Sequence, residues 1–120
     1  MKFDAQINFL YYKDLSKACK FYEDILGLEL EIDQGWAKIY KVSEAASIGL
    51  VDEKRGYFNW VPEKSAMITL VTSAVDEWYD KLERKGVKLL SEPHDVEDIG
   101  IRCFLLEDPA GYVIEIQKFL

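Results

Sequence analysis

The sequence predicts an α+β fold made of two βαβββ modules whose sheets curl round a shared cleft. Three observations carry this. The order strand, helix, three strands occurs twice within 120 residues. Each helical stretch ends on a glycine, Gly27 and Gly86, the residue that most readily adopts the left-handed turn closing a helix. The last strand, Tyr112–Gln117, alternates, with Tyr112, Ile114 and Ile116 on one face and Val113, Glu115 and Gln117 on the other. A sheet carrying one helix on one face needs cover on the other, and two such sheets supply it to each other.

The elements follow in order. Ala5–Tyr12 reads as a strand, apolar on both faces and therefore expected to be covered on both sides. Asp14 is placed to cap a helix, and Leu15, Ala18, Cys19, Tyr22 and Leu26 recur at helical spacing up to Gly27. Strands are expected near Leu28–Ile32, Trp36–Val42 and Ser47–Val51, separated by Asp33-Gln34-Gly35 and Ser43-Glu44. Residues 53–64 form a connector that is charged at first, then carries Tyr57, Phe58, Trp60 and Val61, and breaks at Pro62. Such aromatics suit a lid over a pocket, a subunit contact or a satellite core.

The pattern then restarts. Ala66–Thr72 reads as a strand. Ser73 to Asp76 has capping-box spacing, with Asp in place of the commoner Glu. Val75, Trp78, Tyr79 and Leu82 form the helical stripe, and strands are expected near Val87–Leu90, Ile99–Leu106 and Tyr112–Gln117. The division is one domain over 1–120, with module 1 at about 1–52 and module 2 at about 65–120. Pro109 and Gly111 mark the turn before the last strand.

If Leu10/Tyr12 and Ile114/Ile116 pack on the helices, the opposite parity lines the cleft. That places Ile7, Phe9 and Tyr11, then Met67, Thr69 and Val71, then Val113, Glu115 and Gln117 there. A carboxylate in such a place costs several kcal/mol to desolvate unless it is paired. Lys38, Arg102 or a bound cation are the partners available to Glu115.

Composition narrows the function classes. Hydrophobic residues at 49% support a packed core. A net charge of −7 repels nucleic acid. No apolar run nears the roughly 18 residues that span a membrane, and the first residues lack the order of a signal peptide, so a cytoplasmic protein is expected. Cys19 and Cys103 read as buried thiols, neither bridged nor metal-bound.

Asp14-Leu15, Phe21-Tyr22 and Leu26-Gly27-Leu28, together with Asp108-Pro109-Ala110-Gly111-Tyr112-Val113-Ile114-Glu115, resemble the two half-signatures of the vicinal oxygen chelate superfamily. This is the glyoxalase, bleomycin-resistance and extradiol-dioxygenase group. The resemblance covers nearly the whole chain. It implies a U-shaped, partly closed mixed sheet around a cleft, and a homodimer. In metal-dependent members four strand positions supply His, Glu or Gln ligands. Here they fall on Ile7, Gly49, Met67 and Glu115, so one of the four keeps a donor of that kind. A catalytic divalent metal needs about three protein ligands, and Met suits soft metals instead. Gln6 would reach the site only through a bulge. His94 lies in a stretch of loop composition, Ser91–Asp95.

No metal or other cofactor is therefore expected. The favoured reading is a metal-free protein that binds an aromatic or cationic small molecule. Its expected contacts are Ile7, Phe9, Tyr11, Met67, Thr69, Glu115 and Gln117, with Tyr57, Phe58 and Trp60 from the connector. Two alternatives stand beside it: a metal-dependent lyase or isomerase of glyoxalase type, and a metal-free enzyme with Glu115 as general base.

Overall fold

A computed structural model describes all of residues 1–120, and the chain divides into two units, Met1–Val61 and Pro62–Leu120. In the first, strand β1 (Gln6–Tyr12) leads through Asp14 into helix α1 (Leu15–Lys20), which widens into a π-helical turn over Phe21–Ile25. The Asp14 carboxylate accepts the Lys17 N–H at 3.1 Å, the expected cap. Gly27 closes the helix with φ 69°, and the Leu28 N–H returns to the Tyr22 carbonyl at 2.9 Å. Strands β2 (Glu29–Asp33), β3 (Ala37–Ser43) and β4 (Ala46–Asp52) follow. The sheet order is β1-β4-β3-β2, with β1 and β4 parallel and the other pairs antiparallel.

Alternation decides the packing. Leu10 and Tyr12 of β1, Tyr40 of β3, and Ile48 and Leu50 of β4 are buried, as are Ala18, Tyr22 and Leu26 of the helical segment. The Tyr12 hydroxyl donates to that of Tyr22 at 3.2 Å, so the polar ends of two buried rings satisfy each other. The Tyr40 hydroxyl donates to Glu23, and burial pushes its pKa well above the ordinary range. Burial likewise raises the Cys19 thiol, which suits a core residue better than a reactive one. The other face of β1 departs from expectation. Ile7 and Phe9 are 39% and 44% exposed, so only one side of this strand is fully covered within its unit.

The second unit holds β5 (Ile68–Val71), α2 (Val75–Arg84), β6 (Lys88–Leu89), β7 (His94–Val96), a 3₁₀ turn over Glu97–Ile99, β8 (Ile101–Glu107) and β9 (Val113–Phe119). The order is β5-β9-β8-β6, β7 also pairs with β8, and β5 runs parallel to β9. Val75 and Leu82 of α2 are buried, as are Phe104, Leu106, Ile114 and Ile116 of the sheet. The turn before β9 is built on Asp108, whose side chain accepts the N–H groups of Ala110 and Tyr112 at 2.9 and 3.0 Å. Gly111 supplies the positive φ of 85°.

Three local expectations change. The residue capping α2 is Ala74, not Ser73, and no side chain caps that helix end. Asp76 is drawn elsewhere: Arg102 forks onto both its oxygens, Nε at 3.1 Å and Nη2 at 2.9 Å, and the third guanidinium nitrogen, Nη1, reaches Asp95 at 3.0 Å. His94 is in a strand, because pairing with β8 rescues a short segment whose composition alone reads as loop. The connector as far as Val61 folds with the first unit.

Two outcomes test this packing. Leu82→Ala empties the α2 contact and should lower stability by about 2–5 kcal/mol in urea titration. Asp76 has its pKa lowered below the ordinary 3.8, chiefly by the Arg102 hydrogen bonds. Its contribution is therefore present above that value and lost as pH falls through the lower folded one. Asp76→Asn should be less stable at pH 7, yet lose less stability than wild type between neutral and acid pH, as read from urea midpoints.

Candidate functional site

The open face of the first sheet is organised by two glycines. The register sets Phe9 opposite Gly49, and Gly49 opposite Ile39. A Cβ at Gly49 would lie 2.4 Å from two ring carbons of Phe9, so the ring rests directly on the β4 backbone. A Cβ at Gly56 would lie 2.5 Å from Val51 Cγ1 and 2.8 Å from the Tyr11 ring. The connector thus touches the sheet at the one residue there with no side chain. Its path is set by backbone chemistry. Asp52 accepts the N–H groups of Lys54, Arg55 and Gly56, the Glu53 N–H donates to the Tyr12 carbonyl at 3.0 Å, and the Trp60 N–H donates to the Glu53 carboxylate at 3.0 Å. Phe58 meets Tyr11 edge-on at 5.5 Å and Tyr57 at 4.8 Å between ring centroids.

Between connector and sheet lies a cavity of about 220 Å³. Phe9, Tyr11, Ala37 and Val51 line it from the sheet, and Gln34, Trp36, Gly56 and Tyr57 from the turn and connector. Opposed residues Tyr11, Val51 and Ala37 share one face across three strands, which is why they meet here. The turn that delivers Trp36 is tight: Gly35 has φ 83°, and its N–H donates to Asp33 Oδ1 at 2.9 Å. The Trp36 carbonyl accepts the Asp52 N–H at 2.8 Å, tying this turn to the start of the connector.

Of the residues singled out from sequence, Phe9, Tyr11 and Tyr57 line the cavity, and Phe58 supports it through Tyr11. Ile7 shares their face but lies beyond the lining. Trp60 is turned to Lys13, whose ammonium is 5.3 Å from the ring centroid. Gln34 and Trp36 were missed. The Asp-Gln-Gly turn before Trp36 was the available signal, but its closeness to Tyr11 depends on strand order.

In the second unit, Thr69 stands opposite Glu115, and its hydroxyl donates to Glu115 Oε1 at 3.0 Å. Gln117, buried, stands between Val71 and Cys103, and His94 pairs beyond Cys103. The pKa of the Cys103 thiol is raised by burial first and by the Glu115 carboxylate second. Met67 precedes β5 and is half exposed. Lys38 and Arg102 do not partner Glu115. Lys38 pairs with Asp33 at 3.1 Å, and Arg102 is committed to Asp76 and Asp95.

The metal implied by the fold does not fit these residues. At Gly49 a donor side chain would enter the space filled by the Phe9 ring. Ile7 has no donor atom, and in neither unit do three or more His, Cys, Asp or Glu side chains come together to hold an ion.

With this geometry in place, comparison gives the class. The model of the glyoxalase/bleomycin resistance protein/dioxygenase superfamily matches residues 5–116, and the chain belongs to that superfamily. It is 30% identical over 118 residues to a probable lactoylglutathione lyase of Synechocystis, covering 86% of each chain. Among solved structures it resembles a glyoxalase/bleomycin resistance protein/dioxygenase from Nocardioides, with TM-score 0.78 and 22% identity over 100% of this chain and 85% of that one. It also resembles a lactoylglutathione lyase from Agrobacterium tumefaciens, with TM-score 0.72 and 24% identity over 94% and 91%. These two likenesses speak to fold.

The Phe9–Gly49 contact yields a direct test. Gly49→Ala should cost about 1–3 kcal/mol through overpacking. The same change made in a Phe9→Ala background should cost far less, a coupling measurable as a double-mutant cycle in urea.

Proposed function

We propose that this protein binds an aromatic small molecule without a metal, using the cavity of its first unit. The observation that carries the reading is the cavity's lining: four aromatic side chains, Phe9, Tyr11, Trp36 and Tyr57, with one side-chain amide from Gln34. Small ligands bind in such places because apolar walls supply burial and a few polar groups fix orientation. The lining includes no carboxylate, so the aromatic part of the expected ligand has more support than the cationic part. Glu115 belongs to the other unit and already accepts a hydrogen bond from Thr69.

The name of the Synechocystis relative favours a second reading, a metal-dependent lyase. The donor positions weigh against it, since Gly49 cannot supply a ligand and Ile7 has none. A third reading, a metal-free enzyme with Glu115 as base, draws on the half-buried placing of that carboxylate on the open face of β9. It requires turnover that resists chelator and fails in Glu115→Gln.

Elemental analysis of protein purified without chelator separates the first two readings. The expected result is metal well below one ion per chain and a melting temperature unchanged by EDTA. Stoichiometric metal would sink the proposal. A thermal-shift screen of aromatic compounds should then find stabilisers, with a gain of about 2.7 kcal/mol for any ligand present at 100 times its Kd. Trp36→Ala should remove the gain while leaving the protein folded.

A further inference from the structure

We infer that the ligand of the first unit is a planar aromatic carboxylate, its ring held by Trp36, Tyr11 and Tyr57 and its carboxylate met by Arg55. This deepens the binding reading and rests on it. A positive charge stands beside one wall of the cavity. Arg55 lies in the connector next to Gly56, and its guanidinium is stacked over the Trp36 ring, 5.7 Å from the centroid. Trp36 is itself a wall of the cavity.

Arg55 is in no ion pair, whereas the acids around it are engaged. Asp33 is bound by Lys38 at 3.1 Å and by the Gly35 N–H. Asp52 accepts the Lys54 N–H through its side chain, and Glu53 accepts the Trp60 N–H. What remains beside Trp36 is a guanidinium in no ion pair, with its hydrogen-bonding fork unused. Its position over Trp36 leaves the guanidinium N–H groups without an anionic partner, and a carboxylate matches such a fork in two-point geometry. Gln34, also in the lining, carries an amide able to donate a hydrogen bond.

Size and long-range charge constrain the ligand further. A cavity of about 220 Å³ is smaller than the roughly 300–1,000 Å³ of sites for drug-sized molecules, so one ring or a fused pair is indicated. The chain carries −7 overall, which opposes anions at a distance. That field is screened within about 10 Å at 0.1 M salt, whereas the Arg55 contact acts at hydrogen-bond range.

The test uses three probes sharing one ring system on the full chain: 2-naphthoate, its neutral isostere 2-naphthamide, and cationic 2-naphthylmethylammonium. Binding is followed by tryptophan fluorescence and calorimetry at 0.1 M salt. The naphthoate should bind about tenfold more tightly than the amide, as expected for one charge-assisted contact near the surface. Arg55→Ala should erase that difference without weakening the amide, and Arg55→Lys should recover part of it. Equal binding of naphthoate and amide, insensitive to Arg55→Ala, would overturn the anionic assignment while leaving the cavity as a binding site. Tightest binding of the cation would overturn it too. If none of the three binds, or if all bind equally well to Trp36→Ala, the assignment falls together with the cavity reading itself.

Discussion

A sheet backed by one helix can bury only one of its faces on that helix, and every feature of the first unit follows from how its other face is covered. Period-two alternation sends Leu10, Tyr12, Ile48 and Leu50 to the helix side, where they are buried. The opposite row, Phe9, Gly49 and Ile39, has no helix to meet. Phe9 therefore folds over Gly49, and the connector lies across Val51 and Tyr11 at Gly56. Two missing side chains let backbone and ring approach to contact distance. The cavity is the space that these contacts leave between connector and sheet.

The same constraint governs the polar groups. Most acids whose partners are seen have structural tasks. Asp14 caps a helix, Asp33, Asp52 and Asp108 hold turns, and Asp76 and Asp95 share Arg102. Turn and cap carboxylates satisfy backbone N–H groups that would otherwise lack partners, so they are spread along the chain. Glu115 is different, since it stands mid-strand on the open face and accepts a hydrogen bond from the Thr69 hydroxyl. The open face of the first unit is aromatic, and that of the second carries Thr69 and Glu115.

Much of this was readable from residue order. Asp14, Gly27, Gly86 and the Asp108–Gly111 turn announce themselves through local chemistry, and the repeated strand–helix pattern is a matter of periodicity. Parity correctly sorted Leu10/Tyr12 from Phe9/Tyr11, because burial follows alternation whatever the strand order. Three things were not readable. β7 exists because β8 offers it partners. Ser73 does not cap α2, because the helix begins one residue later, with Ala74 at the cap and its N–H donated to Thr72 Oγ1 at 3.1 Å. Arg55 and Trp36 stack although 19 positions (55 − 36) separate them, a contact that only the path of the connector creates.

The sequence by itself determined the class of fold, the two helix-bearing modules and the weakness of the donor set, since each rests on local propensity, alternation or the plain absence of a ligating atom at Ile7 and Gly49. Only the tertiary structure decided that Phe9 occupies the room above Gly49, that Gly56 brings the connector down onto the sheet, and that Gln34 and Trp36 complete a cavity with Tyr11 and Tyr57. The physical reason is that strand order and register join residues far apart in the chain. Local chemistry sets which way a side chain points, and only the assembled sheet sets what it meets.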